Sequence, residues 1–159
     1  MIHLYEAFKQ AGIHFERYHH RAIYTNEDAV IVKHELGFFG TETKSLFLKS
    51  KDNQYYIFLT YTTKRTDFKA LSKLVGKRLS IVSSEQMQEL TGQSPGAVSP
   101  FGYPSTISLI IDSDLLREEK WVFAPGKPDE TFVLDVKDYQ KVIDLFQNPL
   151  LIFKEQEDV

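Results

Sequence analysis

TKSLFLKSKDNQYYIFLTYT, residues 43–62, sets the frame for the rest of the chain. Its halves, 43–50 and 55–62, are rich in β-branched and aromatic residues, and Asp52-Asn53 in the KDNQ link supplies turn chemistry. The stretch predicts a β-hairpin. Upstream, Leu4, Phe8 and Ala11 recur at helical spacing ahead of Gly12, HFERY (14–18) alternates like a strand, and Thr25 N-caps a helix running to Leu36 and closed by Gly37. Downstream, Thr66 is expected to cap a helix carrying Phe68, Leu71, Leu74 and Val75, closed by Gly76. LSIV (79–82) follows as a short strand, then Ser84 as cap of EQMQELT before Gly92. After the loop 92–104 come a buried strand STISLII (105–111), a short helix (113–119), the strands WVFA (121–124) and TFVLD (131–135), and a last helix over about 137–147. Strands and helices mix without a regular βαβ repeat, which predicts an α+β or irregular α/β fold.

At 159 residues and 18.4 kDa the chain has the length of one domain, so a single domain is expected over 1–159. With 42% hydrophobic and 26% charged residues it falls outside the disordered and low-complexity classes. The absence of Cys excludes disulfides, thiolate catalysis and Cys-based zinc sites. No apolar run is long enough for a membrane helix, and Glu6 in the first helix argues against a signal peptide, so a cytoplasmic protein is expected. The net charge of −3 conceals a segregation. Nine basic residues, Lys44, Lys49, Lys51, Lys64, Arg65, Lys69, Lys73, Lys77 and Arg78, lie between 44 and 78 against Asp52 and Asp67, a net +7, which leaves −10 elsewhere. Such a segment either grips a polyanion or is ordinary solvated surface.

Two features could carry chemistry. The loop GQSPGAVSPFGYP (92–104) holds three Gly and three Pro, which fix an unusual backbone path and can aim successive N–H groups at a carbonyl oxygen or phosphate. Read as structure alone, it is a compact connection; Val98 and Phe101 argue against disorder, and its length favours function. Lys44 opens an apolar strand, and alternation puts it on the face of Leu46 and Leu48, expected to be the inner one. It is either a cleft-lining ammonium for a phosphate or carbonyl, or an edge lysine whose stem reaches water. The five His form no metal-ligating spacing, and Ser83, Ser94 and Ser99 sit in no GxSxG elbow. Neither GxxxxGK[ST] nor GxGxxG is present, so no cofactor is expected. Tyr61 and Tyr103 read as core or surface residues more readily than as base-stacking ones.

The strings YHHRAIYTNEDA (18–29), TKSLFLK (43–49) followed by YYIFLT, LVGKRLSIVSSEQMQELTG (74–92) and SPGAVSPFGYP (94–104) resemble, in order and spacing, the YbaK/prolyl-tRNA synthetase-associated domain family of aminoacyl-tRNA deacylases. The likeness covers about 18–112, looser to 146, and the form TxTKxLFLK is closest to the freestanding branch that edits alanyl-tRNA(Pro). The resemblance implies a mixed, barrel-like sheet flanked by helices and hydrolysis, in trans, of the ester of a wrong amino acid on tRNA(Pro). Through it, Lys44 falls on the family's functional lysine and Gly96, Ala97, Val98, Ser99, Pro100, Phe101 and Gly102 on its substrate loop, with Gly96 and Ala97 as backbone donors. His20 and Thr25 fall at the start of the helix that walls the amino-acid pocket. Lys49 and Arg78, with Lys64 and Arg65 of the basic segment, are expected to meet the tRNA acceptor end. Prolyl-tRNA synthetase is a further expected partner; membrane and metal are not. Ala124-Pro125, Asp129-Glu130-Thr131 and Ser45 depart from the family's usual His-Pro, Asn-x-Thr and Asn, which bears on amino-acid specificity. Competing readings are a deacylase for Cys-, Ser- or Thr-tRNA, a nucleic-acid-binding module without catalysis, and a synthetase-docking subunit.

Overall fold

The computed structural model describes residues 3–155; residues 1–2 and 156–159, the ends of the expected domain, lie outside the described residues. In chain order the elements are α1 (Leu4–Gln10), β1 (Phe15–His19), α2 (Asn26–Leu36), β2 (Thr41–Ser50), β3 (Tyr55–Tyr61), α3 (Phe68–Val75), β4 (Leu79–Ile81), α4 (Ser84–Thr91), β5 (Ser108–Asp112), β6 (Lys120–Phe123), β7 (Glu130–Asp135), α5 (Tyr139–Phe146) and β8 (Leu150–Phe153). Short 3-10 turns occupy Ser113–Arg117 and Val136–Asp138.

The eight strands form one mixed sheet in the order β1-β7-β6-β2-β3-β5-β8, with β4 added on β2. Side chains alternate across each strand and so divide between layers. Phe47, Ile57, Leu59, Leu109 and Ile111 from one arm share a central core with Trp121, Phe123, Phe132 and Leu134 from the other. The sheet therefore wraps around that core, as the barrel-like expectation requires. Phe8 of α1, Met87 of α4, Val142 of α5, and Phe101 and Tyr103 of the 92–104 loop close its open side. The opposite side chains form two outer clusters: Leu48, Phe58 and Ile110 under Leu71 of α3, and Val122 and Val133 under Val32 of α2. Among the described residues no helix is long and apolar enough to cross a membrane.

Local chemistry moves several boundaries from their expected places. α3 is capped by Asp67, whose carboxylate accepts the Ala70 N–H at 3.0 Å, and not by Thr66, whose buried hydroxyl has no partner among the described residues. α4 is capped by Ser83 and not Ser84, through Gln86 N–H at 3.2 Å. The strand expected at 105–111 begins only at Ser108, because Ile107 N–H turns back to the Pro104 carbonyl at 3.0 Å. β8 is absent from the sequence reading, since LLIF is too short to separate strand from helix by periodicity. The face shared by Lys44, Leu46 and Leu48 is the outer one, buried under α3 at Leu48 and open at Lys44; it is not the inner face.

The long strand β2 is interrupted in its pairing. One edge pairs with β3 from Thr43 to Lys49. The other meets β6 only at Thr41 and Glu42 and β4 only from Leu48 to Ser50. Between them the edge is bare.

Candidate functional site

A cavity of about 780 Å3 opens at that bare edge. Its walls are the entry to α2 (Ile23 to Thr25) with Asn26, Ala29 and Val30 of its first turns, β2 from Glu42 to Phe47, Ser84 and Met87 of α4, Pro95 to Val98 of the loop, Ala124 after β6, and Glu130 and Thr131 of β7. Because the sheet is interrupted here, Lys44 on its outer face and the loop on its inner face line the same space. A volume of this size suits a small molecule or the end of a larger one.

The loop is rigid for reasons that lie beneath the cavity wall. Gln93, 3% exposed, accepts the Ser99 N–H at 2.7 Å and donates to the Tyr103 hydroxyl at 2.8 Å. Tyr103 donates in turn to the Ser99 carbonyl at 2.6 Å, and the Ser99 hydroxyl accepts Phe101 N–H at 3.1 Å. Burial pushes the Tyr103 phenol up from its ordinary pKa, with the Gln93 contact acting against it. Asn148, just ahead of β8, donates to the carbonyls of Pro104 at 2.8 Å and Ile107 at 2.9 Å and ties down the loop's far end. Ser99, Pro100 and Phe101 are thus buried scaffold, and with Gly102 they stand outside the cavity lining. Gly96, Ala97 and Val98 are on the lining. Ala97 N–H is engaged within the loop by the Ser94 carbonyl at 3.0 Å. Among the described residues, Gly96 and Val98 N–H have no intramolecular acceptor. Gly96 holds φ +82, a left-handed conformation, with open space where a Cβ would lie.

Lys44 is half-buried, and its ammonium donates to the Lys64 carbonyl at 2.7 Å. Thr25 lines the cavity and caps α2 by accepting Asp28 N–H at 3.0 Å. His20 sits behind the wall. Its Nδ1 lies 2.6 Å from the Arg21 carbonyl and its Nε2 2.7 Å from the Thr131 hydroxyl, so a proton on Nδ1 leaves Nε2 to accept from Thr131. Two carboxylates also line the cavity, Glu42, which the sequence did not single out, and Glu130, noted there only within a departure from the family pattern. Glu130 is paired with Arg17 at 2.5 Å. Glu42 is pushed above its ordinary carboxyl pKa by burial, against the pull of the Lys33 ammonium 3.6 Å away. Gln93 was missed too, and only its place directly after Gly92 hinted at it.

The basic segment divides. Lys64 is bound to Asp112 at 2.8 Å, Asp114 at 3.3 Å and Glu155 at 3.4 Å. Partial burial acts to lower its pKa, but those carboxylates outweigh it and hold the ammonium above its ordinary value. Lys77 pairs with Asp52 at 2.7 Å, and Lys49 reaches the Gln86 amide oxygen at 3.4 Å. Arg65 and Arg78 are exposed and make no ion pair among the described residues.

Residues 20–142 match the model of a family described as the aminoacyl-tRNA editing domain. The prolyl-tRNA editing protein ProX of Acetoanaerobium sticklandii is 26% identical over 137 residues, covering 82% of each chain. The multifunctional Ser/Thr-tRNA deacylase ProXp-y of Escherichia coli is 30% identical over 108 residues, 65% of each chain. A solved structure described as that of a candidate trans-editing enzyme for prolyl tRNA synthetase superposes with a TM-score of 0.74 at 26% identity, covering 96% of this chain and 95% of that one.

Proposed function

The chain belongs to the aminoacyl-tRNA editing domain family, and on that premise we propose that it is a trans-editing deacylase that hydrolyses the ester of mischarged tRNA(Pro), releasing alanine. The observation that carries the reading is the meeting of two unengaged loop N–H groups, Gly96 and Val98, with Lys44 in one cavity. An aminoacyl ester is already activated, so no protein nucleophile is needed. Water attacks the carbonyl carbon, the developing oxyanion is held by the Gly96 and Val98 N–H groups, and the bond to the ribose oxygen of the terminal adenosine breaks, with a proton returned to that oxygen. Donors placed in this way are typically worth about 3 kcal/mol of barrier. Lys44 serves as a point charge toward the terminal phosphate. Ala97 contributes the turn that presents its neighbours, and Ser99, Pro100, Phe101 and Gly102 hold the loop's shape.

Selectivity by size follows from a second sieve, in which a pocket that fits a small side chain rejects the proline ring. Serine is the second reading, favoured by the buried hydroxyl of Ser45, a lining residue, which has no partner among the described residues. We propose that the described residues act as one editing domain in the cytoplasm, beside prolyl-tRNA synthetase, with Arg65, Arg78 and Lys49 toward the acceptor end. The test is a deacylation panel of Ala-, Ser-, Cys- and Thr-tRNA with the protein and its Lys44→Ala variant. Release of alanine that the variant abolishes while remaining folded is the expected result. Binding of tRNA without release of any amino acid overturns the enzyme reading and leaves a binding module.

A further inference from the structure

The cavity is lined by something no side-chain inventory reveals, a stretch of unpaired strand. On β2 the Glu42 carbonyl accepts Thr62 N–H at 3.2 Å on the β3 side, whereas the Phe47 carbonyl accepts Val82 N–H at 2.9 Å on the opposite side. Backbone groups of successive strand residues point to alternate edges, so those of Thr43, Ser45 and Phe47 face away from β3. The register to β6 ends at Glu42 and that to β4 begins at Leu48. The Thr43 carbonyl, the Ser45 N–H and carbonyl, and the Phe47 N–H are therefore unpaired among the described residues, and all three residues line the cavity. Leaving such groups inside a fold is costly unless water or a ligand satisfies them. The gap from residue 43 to 47 spans about 14 Å, too short for another strand but long enough for one residue-sized group.

We propose that this bare edge of β2 is the binding site for the α-aminoacyl group of the substrate, read through its α-ammonium. The proposal rests on the deacylase reading above and adds to it the part of the ligand that is recognised. An α-aminoacyl ester carries a donor and an acceptor one residue apart, the pattern that a neighbouring strand would present. Its ammonium donates to the Ser45 carbonyl, while its carbonyl oxygen accepts Ser45 N–H and meets the loop donors from across the cavity. Because the contacts are to backbone, they hold the common part of any amino acid and leave the side chain to be sorted by size.

The test has two arms. Amide hydrogen exchange is followed with and without saturating 3′-deoxy-3′-(alanylamino)adenosine, a non-hydrolysable mimic; exchange at Ser45 and Phe47 is expected to slow at least about tenfold. Deacylation of alanyl-tRNA(Pro) is then compared with that of its lactyl counterpart, in which a hydroxyl replaces the ammonium at nearly the same size, each rate being divided by the uncatalysed rate of the same ester; the lactyl ester is expected to show about tenfold less enhancement, since a charge-assisted hydrogen bond is lost. Unchanged exchange at Ser45 and Phe47, or equal enhancements for the two esters, overturns the edge site and leaves the deacylase reading standing. Hydrolysis of neither ester overturns both.

Discussion

Replacing Lys64 by methionine separates a structural ammonium from an RNA-binding one. Asp112 is 1% exposed, and its carboxylate accepts from the Lys64 ammonium at 2.8 Å, the Thr60 hydroxyl at 2.8 Å and Asp114 N–H at 3.1 Å. Lys64→Met removes the only cation within ion-pair distance of Asp112 among the described residues and leaves a buried carboxylate with two neutral donors. Breaking a buried pair in this way costs about 3–5 kcal/mol, and the two donors that stay place this case near 3 kcal/mol. For a chain of this length that corresponds to a fall in melting temperature of about 6–12 °C. Circular dichroism melts and urea titrations measure it directly. The double variant K64M/D112N, neutral on both sides, is expected to recover most of the loss, because two paired charges are exchanged for a neutral pair of similar volume. A K64M protein with unchanged stability and with tRNA affinity reduced as much as in an arginine variant would refute the assignment.

The two free arginines make the complementary prediction. R65A/R78A is expected to melt like the parent protein, since neither side chain is ion-paired among the described residues, and to flatten the slope of log affinity for tRNA against log salt by about 1.4–1.8, the contribution of two phosphate contacts; an unchanged slope returns these residues to plain surface. Gly96→Ala meets no atom within 4 Å, yet forces a side chain at φ +82, a strain of about 1–2 kcal/mol borne by the loop. Deacylation is expected to slow about tenfold with a fall in melting temperature of about 2–8 °C; a rate equal to the parent's would remove the Gly96 N–H from the proposed oxyanion site.

The hairpin of β2 and β3 and the cap of α2 were legible because their signals are local. The alternation of 43–62 and the Asp52-Asn53 turn need no distant partner, and Thr25 with Gly37 marks both ends of a helix by backbone chemistry alone. The missed features depend on contacts far apart in sequence. β8 is a strand because β5 offers it a parallel edge from Leu109 to Asp112, and nothing in four apolar residues announces that. Lys64 counted as one of nine positive charges in the sequence, but the fold brings Asp112, Asp114 and Glu155 to it. Charge arithmetic found the basic segment and could not tell its bound members from its free ones.

Lys44 shows where one-dimensional reasoning turns. Alternation placed it correctly with Leu46 and Leu48, but a strand pattern cannot say which face is interior when both are covered. The outer face would ordinarily separate this lysine from a loop packed on the inner one. They meet because β2 is longer than either of its partners on one edge, so the sheet parts between Glu42 and Leu48 and the cavity reaches through. Ten residues of β2, bound along one edge and half-bound along the other, are what turn a structural hairpin into the wall of a site. The same gap explains why the proposed edge site lacks an obvious motif: the groups it presents at Thr43, Ser45 and Phe47 belong to the backbone, and any residue can carry them.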